Sequence, residues 1–112
     1  MSKINSRQKG AAGERELAKF LREQGYDDSR RGQQFSGKNG DADVVGLDGI
    51  HIECKRVEKL NLDLAMEQSI RDAREGEMPT VMHRKNRKDW LCTMRLKDWM
   101  TMYKGGKTDA RD

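Results

Sequence analysis

Apolar residues alternate with polar ones in one stretch of the chain and recur at helical spacing in others. Ile50, Ile52 and Cys54 interleave with His51, Glu53 and Lys55, the period of two that sends each set to its own face of a strand. Just before them Val44 and Val45 form a second apolar run, and Gly46-Leu47-Asp48-Gly49 is short enough to turn the two runs into a hairpin. Upstream, Leu17, Ala18, Phe20 and Leu21 mark a helix over 10–24 that Gly25 stops. Downstream, Leu62, Ala65, Met66, Ser69, Ile70 and Ala73 share one face of a helix over 62–75, ended by Gly76. Strands are expected at 80–82 and 90–94, joined by a basic turn, and a last short helix at 96–103. The methionines fit as core filling.

Two segments lack any such period. Residues 1–9 read as a flexible basic arm and 104–112 as a disordered tail, which leaves one folded domain over 10–103. Residues 26–40, rich in Arg, Gly, Ser, Gln and Asn, read as a mobile basic loop with a possible short strand near Gln33 to Phe35. The order of helix, two or three strands, helix, two strands, helix implies an α/β fold: a central mixed sheet flanked by helices.

Composition narrows the picture. In 112 residues, 34% are hydrophobic and 38% charged, so the core is small and a homodimer would bury more apolar surface. Lys and Arg outnumber Asp and Glu by 23 to 19, a net charge of +4, a modest pointer to a polyanionic partner. Neither Cys54 nor Cys92 belongs to a C-x-x-C pair, so both are expected to be reduced, buried thiols. No run is long enough to span a membrane and 1–6 lack the core of a signal peptide, so a soluble cytoplasmic protein is expected. The two His and two Cys match neither a zinc-ligand pattern nor the His-rich centre of an HNH nuclease.

The hairpin carries the candidate chemistry. Folding it brings Asp43, which opens the first run, toward Glu53, and alternation sets Lys55 on the same face as Glu53, about 7 Å further along the strand. Two carboxylates with a backbone carbonyl, for which Cys54 is placed, suit a hard cation such as Mg²⁺ and leave positions open for a phosphate. The ammonium of Lys55 adds fixed positive charge. Glu14 falls inside the apolar arc of the first helix, whereas Glu23 falls outside it, so Glu14 is a candidate third acid. Taken alone, Glu53-x-Lys55 would be an ordinary exposed ion pair; its setting behind an acid and an apolar run gives it weight. His51 shares that face but fits a partly buried spacer better than a catalyst, and His83 a strand end.

Asp43, ten residues, then Glu53-x-Lys55 resembles the core of the PD-(D/E)XK nuclease superfamily, with Ala42 where the signature usually has proline and Asp41 a rival for the metal-binding role. Gly10-Ala11-Ala12-Gly13-Glu14-Arg15 resembles the first helix of archaeal-type and phage Holliday junction resolvases, Glu14 matching their helical acid. The likeness spans about residues 9–103. It implies a restriction endonuclease-like α-β-β-β-α-β core, Mg²⁺ dependence with Mn²⁺ able to substitute, a homodimer on branched DNA junctions, and a location in the host cytoplasm if phage-encoded. It makes Asp43, Glu53 and Glu14 metal ligands or catalytic acids, Lys55 catalytic, and Gln68, on the helix after the E-x-K strand, a further candidate. Basic residues expected at the DNA are Arg7 and Lys9 in the arm, Arg15 in the first helix, Arg30, Arg31 and Lys38 in the loop, and Arg56; the turn with Arg84, Lys85, Arg87 and Lys88 is a third basic cluster. Rival functions are a relative cutting flaps, single strands or duplex ends, and a DNA-binding module without catalysis.

Overall fold

The expected hairpin is the seed of a five-stranded sheet. A computed structural model of the chain describes residues 6–33 and 42–111, with side chains over 10–33 and 42–106. In order the elements are α1 (Ser6–Glu23), β1 (Arg30–Arg31), β2 (Val44–Val45), β3 (Ile50–Arg56), α2 (Leu62–Asp72), β4 (Met78–Arg84), β5 (Leu91–Met94) and α3 (Leu96–Arg111). The strands lie side by side in sequence order. Among the described strands only β3 and β4 pair in parallel, joined by the α2 crossover, as a parallel pair requires. The result is the mixed α/β fold anticipated, of restriction endonuclease-like type.

Both faces of β3 are covered. Ile52 and Cys54 join Leu17, Ala18 and Leu21 of α1 and Val44 of β2 in the main core, so the alternating residues His51 and Glu53 face the α2 side. Ser69 of α2 fixes that side: its buried hydroxyl accepts from the Thr80 N–H at 2.9 Å and donates to the Thr80 carbonyl at 3.1 Å, with the His51 carbonyl at 3.4 Å. Asn61 caps α2 by accepting from the Leu64 N–H, satisfying one donor the first turn leaves open.

On the other side α1 lies against β3 because Gly13 has no side chain. A Cβ there would stand 2.6 Å from the Cβ of Arg56. Glu16, on the same helix, holds Arg56 at 3.0 Å and pairs with Arg84, tying α1 to the ends of β3 and β4. At its far end, Gly25 with φ 104° turns the chain out, while Tyr26 N–H bonds to Leu21 and Gly25 N–H to Arg22, closing the orphan carbonyls of the last turn.

Several expectations shift. Helix α1 begins at Ser6, so it takes up part of the expected arm. Strand β1 forms at Arg30–Arg31, where a short antiparallel pairing with β2 is available; of the short strand expected near Gln33 to Phe35 only Gln33 is described, and Lys38, Asp41 and the rest of 34–41 lie outside the described residues. Helix α2 stops a turn early at Asp72, its C-cap Ala73 extended, because the turn from Arg74 to Glu77, with Gly76 at φ 88°, must start the return into β4. Ile70, expected on the buried face, is exposed. Helix α3 runs past Tyr103 to Arg111; once a helix is nucleated each further residue adds a hydrogen bond. Cys92 is exposed rather than buried, because β5 lies at the edge of the sheet. No helix among the described residues is long and apolar enough to cross a membrane.

Candidate active site

Asp43 is pinned through main chain and side chain alike. Its N–H donates to Ile52 and its carbonyl accepts from Gly32, which ties β3 and the exit of β1 to one residue. Its Oδ2 accepts the Cys54 N–H at 2.9 Å, so the carboxylate continues the β2–β3 ladder where the strand itself has stopped. The Val44–Ile52 pairing then sets Glu53 opposite Asp43, near enough that the charge of Asp43 bears on the Glu53 carboxyl. The two acids that the hairpin pattern singles out are neighbours across the β2–β3 pair.

Glu53 is 3% exposed. Burial pushes its carboxyl up from 4.5 to about 8, the negative charge and hydrogen bond of Asp43 and the charge of Asp72 add to the rise, and Lys55 opposes it. Lys55 Nζ stands 3.6 Å from Glu53 Oε2. A carboxyl so placed keeps a proton at neutral pH, because burial away from water disfavours its charged form and the charge of Asp43 adds a repulsion that one ammonium does not offset. A divalent cation would take the place of that proton and relieve the same repulsion, so the pair fits a hard metal by its chemistry. Two carboxylates do not complete a coordination shell, and no cluster of three or more His, Cys, Asp or Glu able to hold a metal forms among the described residues.

Glu14 stands at the edge of this pair. Burial raises its pKa, the Arg31 hydrogen bond at 3.0 Å pulls it back, and the charge of Asp43 raises it again. Asp43 is thus the common neighbour of Glu14 and Glu53. The thiol of Cys54 points into the core, where burial and then the charges of Asp43 and Glu14 push its pKa far up; only its main chain is available to a cation. Gln68 is half-buried on α2 with no hydrogen bond to the acids among the described residues. His51 turns to Glu77, Nδ1 to Oε1 3.4 Å, and His83 to Thr93 at 2.9 Å, burial lowering its pKa.

The basic residues divide by partner. Arg31 is spent on Glu14, and Arg56 on Glu16 and Asn86. Arg15 and Arg30 are exposed. Arg7 and Lys9 fall in the first turns of α1. Residues that the sequence pattern did not single out also shape the site: Gly13 allows the close approach of α1, Glu16 anchors it, and Asp72 adds charge to Glu53. Asp72 lies four residues beyond Gln68, hence on the same helical face, which was the one available signal.

A sequence model of one protein family, described as phage putative PDDEXK endonuclease, matches residues 5–110. The chain belongs to that family. This places it among the PD-(D/E)XK nucleases, which generally use divalent metals and bind DNA. The family match covers α1 through almost all of α3, so the helix that bears Glu14 and the hairpin that bears Asp43, Glu53 and Lys55 belong to one family unit. Comparison with curated proteins and with solved structures finds no match.

Proposed function

We propose that this PDDEXK endonuclease is a Mg²⁺-dependent enzyme that nicks branched DNA, four-way junctions above all, as a homodimer with one site for each of two strands. The strand register that sets Asp43 opposite Glu53, with Lys55 at 3.6 Å from Glu53 on a sheet face otherwise given to packing, carries the proposal. Asp43 and Glu53, with the main-chain carbonyl of Cys54, would hold the cation, and Mn²⁺ would substitute. When bound, such an ion supplies positive charge to the attacked phosphate and makes water more acidic.

The remaining work falls to the chain's own side chains. Lys55, held beside Glu53, sets a fixed ammonium where the phosphate oxygens gather charge. Glu14, its carboxyl raised by burial, can hold or release a proton beside Asp43. Asp72 adds its charge to Glu53 from α2, and Gln68, one turn before it on the same helix, would position water or phosphate by its amide. Arg15 and Arg30, with Arg7, Lys9 and Lys38, would contact the DNA backbone. Arg31 and Arg56 would join them only by exchanging their acid partners for phosphate.

Labelled four-way junction, flap, duplex and single-stranded DNA, each incubated with and without Mg²⁺, test the proposal against Asp43→Ala, Glu53→Ala and Lys55→Ala. Paired symmetric nicks confined to junctions, lost in all three variants, are the expected result. Preferred cutting of flaps or ends would replace the junction assignment. Binding without metal-dependent cutting would leave a DNA-binding module.

A further inference from the structure

Beside the acids a groove opens that the chemistry above does not use. It encloses about 750 Å³ between the start of α2 and the ends of β4 and β5. Its apolar surface comes from Leu60, Leu62 and Leu91, and its lysines are Lys59, Lys85 and Lys88. None of these lysines has an acid partner among the described residues, whereas Arg84 at the same rim is taken by Glu16. Glu58 and Asp89 are the acids at the rim, and the Glu58 carboxylate is engaged by the Asn86 N–H at 2.6 Å.

The position of the groove follows from strand register. Lys55 pairs with His83 across β3–β4, and His83 with Leu91 across β4–β5. Directly paired residues share a face, so Lys55, His83 and Leu91 form a row on the face of Glu53, at spacings of about 4.8 Å. Leu91 is therefore about 10 Å from Lys55, within three nucleotide steps of a strand that rises about 3.4 Å per nucleotide when stacked. His83 is held in place by Thr93 and forms the wall between the acids and the leucines.

Apolar surface beneath unpaired lysines matches the two chemistries of a nucleotide, a flat base and a charged backbone. Leu91 is 59% exposed, an unfavourable surface in water that a base would cover. A base can pack against apolar side chains only when it is out of its stack, and the phosphates on either side would meet the ammonium groups. The volume lies in the range that holds a small organic ligand and is too narrow for a stacked duplex.

We propose that this groove binds a nucleotide of the substrate DNA whose base has left its stack, at a branch point or a bulge, the base against Leu60, Leu62 and Leu91 and its flanking phosphates at Lys59, Lys85 and Lys88. The proposal rests on the nuclease reading for its orientation, and it adds a physical reason for preferring DNA with an unstacked base near the cut over continuous duplex.

The test uses a duplex carrying one bulged 2-aminopurine and the same label inside continuous duplex, with binding measured by anisotropy in EDTA. Wild type should bind the bulge about tenfold more tightly, the worth of one packed base, and change its fluorescence. Leu91→Glu should bring that ratio to about one. The triple variant Lys59→Ala, Lys85→Ala, Lys88→Ala should weaken binding and lower the salt slope by about two to three. All four residues are solvent-accessible, and an unchanged circular dichroism melt verifies the fold. Equal binding of both DNAs by wild type, or a bulge preference that survives Leu91→Glu, overturns the proposal. Asp43→Ala separates the two ideas: it should keep the bulge preference without cutting, whereas a wild type that binds bulges and never cuts would sink the nuclease reading alone.

Discussion

Glu53 is 3% exposed and Trp99 is 47% exposed: within one small domain a carboxyl lies in the interior and an indole at the surface. The acid sits on β3, which α1 covers on one face and α2 on the other, so whatever side chain stands there is buried. The indole sits on α3, beside the edge strand β5. There Leu96, Met102 and Tyr103 are also exposed, Trp99 and Tyr103 stack with ring centroids 5.1 Å apart, and a concavity of about 430 Å³ runs between Cys92, Met94, Leu96 and Trp99. Each region departs from the ordinary rule of burial, in opposite directions. The buried acid costs stability that a cation at the site would return. The exposed arc adds little to stability by itself, a gain that burial against a second copy of the chain would supply in the proposed dimer, and an isolated helix containing Gly105 and Gly106 gains little from propensity alone. The proposed metal and the proposed dimer answer one physical question at two places.

Removing the acids should separate the regions most sharply. Asp43→Ala and Glu53→Gln are expected to lower single-turnover cutting by at least about 10³-fold, and Lys55→Ala by about 10²-fold to 10³-fold, while the mass in sedimentation stays that of wild type. Cutting retained within tenfold in Glu53→Gln would detach the buried acid from chemistry.

Acid burial should also be visible without any substrate. The folded-state pKa of Glu53, about 8, lies above its ordinary 4.5, so its contribution to stability is fully present below 4.5 and is lost as pH rises through 8. In EDTA, urea unfolding should show stability falling by up to about 1.4 kcal/mol per pH unit across that window, with Glu14 acting in the same direction. Glu53→Gln should flatten the slope, and Mg²⁺ should stabilise wild type more at pH 8 than at pH 6. A slope unchanged by Glu53→Gln would place the titrating group elsewhere.

At the other region, Trp99→Glu with Tyr103→Glu tests whether the proposed dimer forms through this arc: analytical ultracentrifugation should show association weakened about 10²-fold or more. Both side chains are exposed in the monomer, so its melting point should move little. A wild type that is monomeric at all concentrations would break this half of the comparison.

The smallest effect tests how α1 carries Glu14 to the site. Gly13→Ala gains about 1 kcal/mol of helix propensity, but its Cβ would meet Arg56 at 2.6 Å, and overpacking costs about 1–3 kcal/mol. Net destabilisation of about 1 kcal/mol in urea is expected, with cutting lowered more than DNA binding. A stabilised, fully active Gly13→Ala would show that the close approach of α1 does not matter.

Local patterns made much of this legible. The hairpin was readable because Gly46 and Gly49 both take positive φ, at 123° and 80°, where glycine is least strained. Alternation in β3 joined Glu53 to Lys55, and the offset of the hairpin brought Asp43 to Glu53. The apolar arc of α1 contained Glu14, which is half-buried as that arc implies. Element ends were less legible: α2 stops at Asp72 because of the turn into β4, and no local period marks that need.

By itself the sequence determined the elements, the mixed sheet and the residues that meet across the hairpin, because turn geometry and side-chain period act over a few neighbours. Tertiary structure alone decided that β3 is buried on both faces, that Arg31 serves Glu14 and Arg56 serves Glu16, that Cys92 and Ile70 stay at the surface, and that the groove lies in line with Lys55. Those outcomes depend on which helix covers which strand, and covering is a relation between segments far apart in the chain that no local spacing encodes.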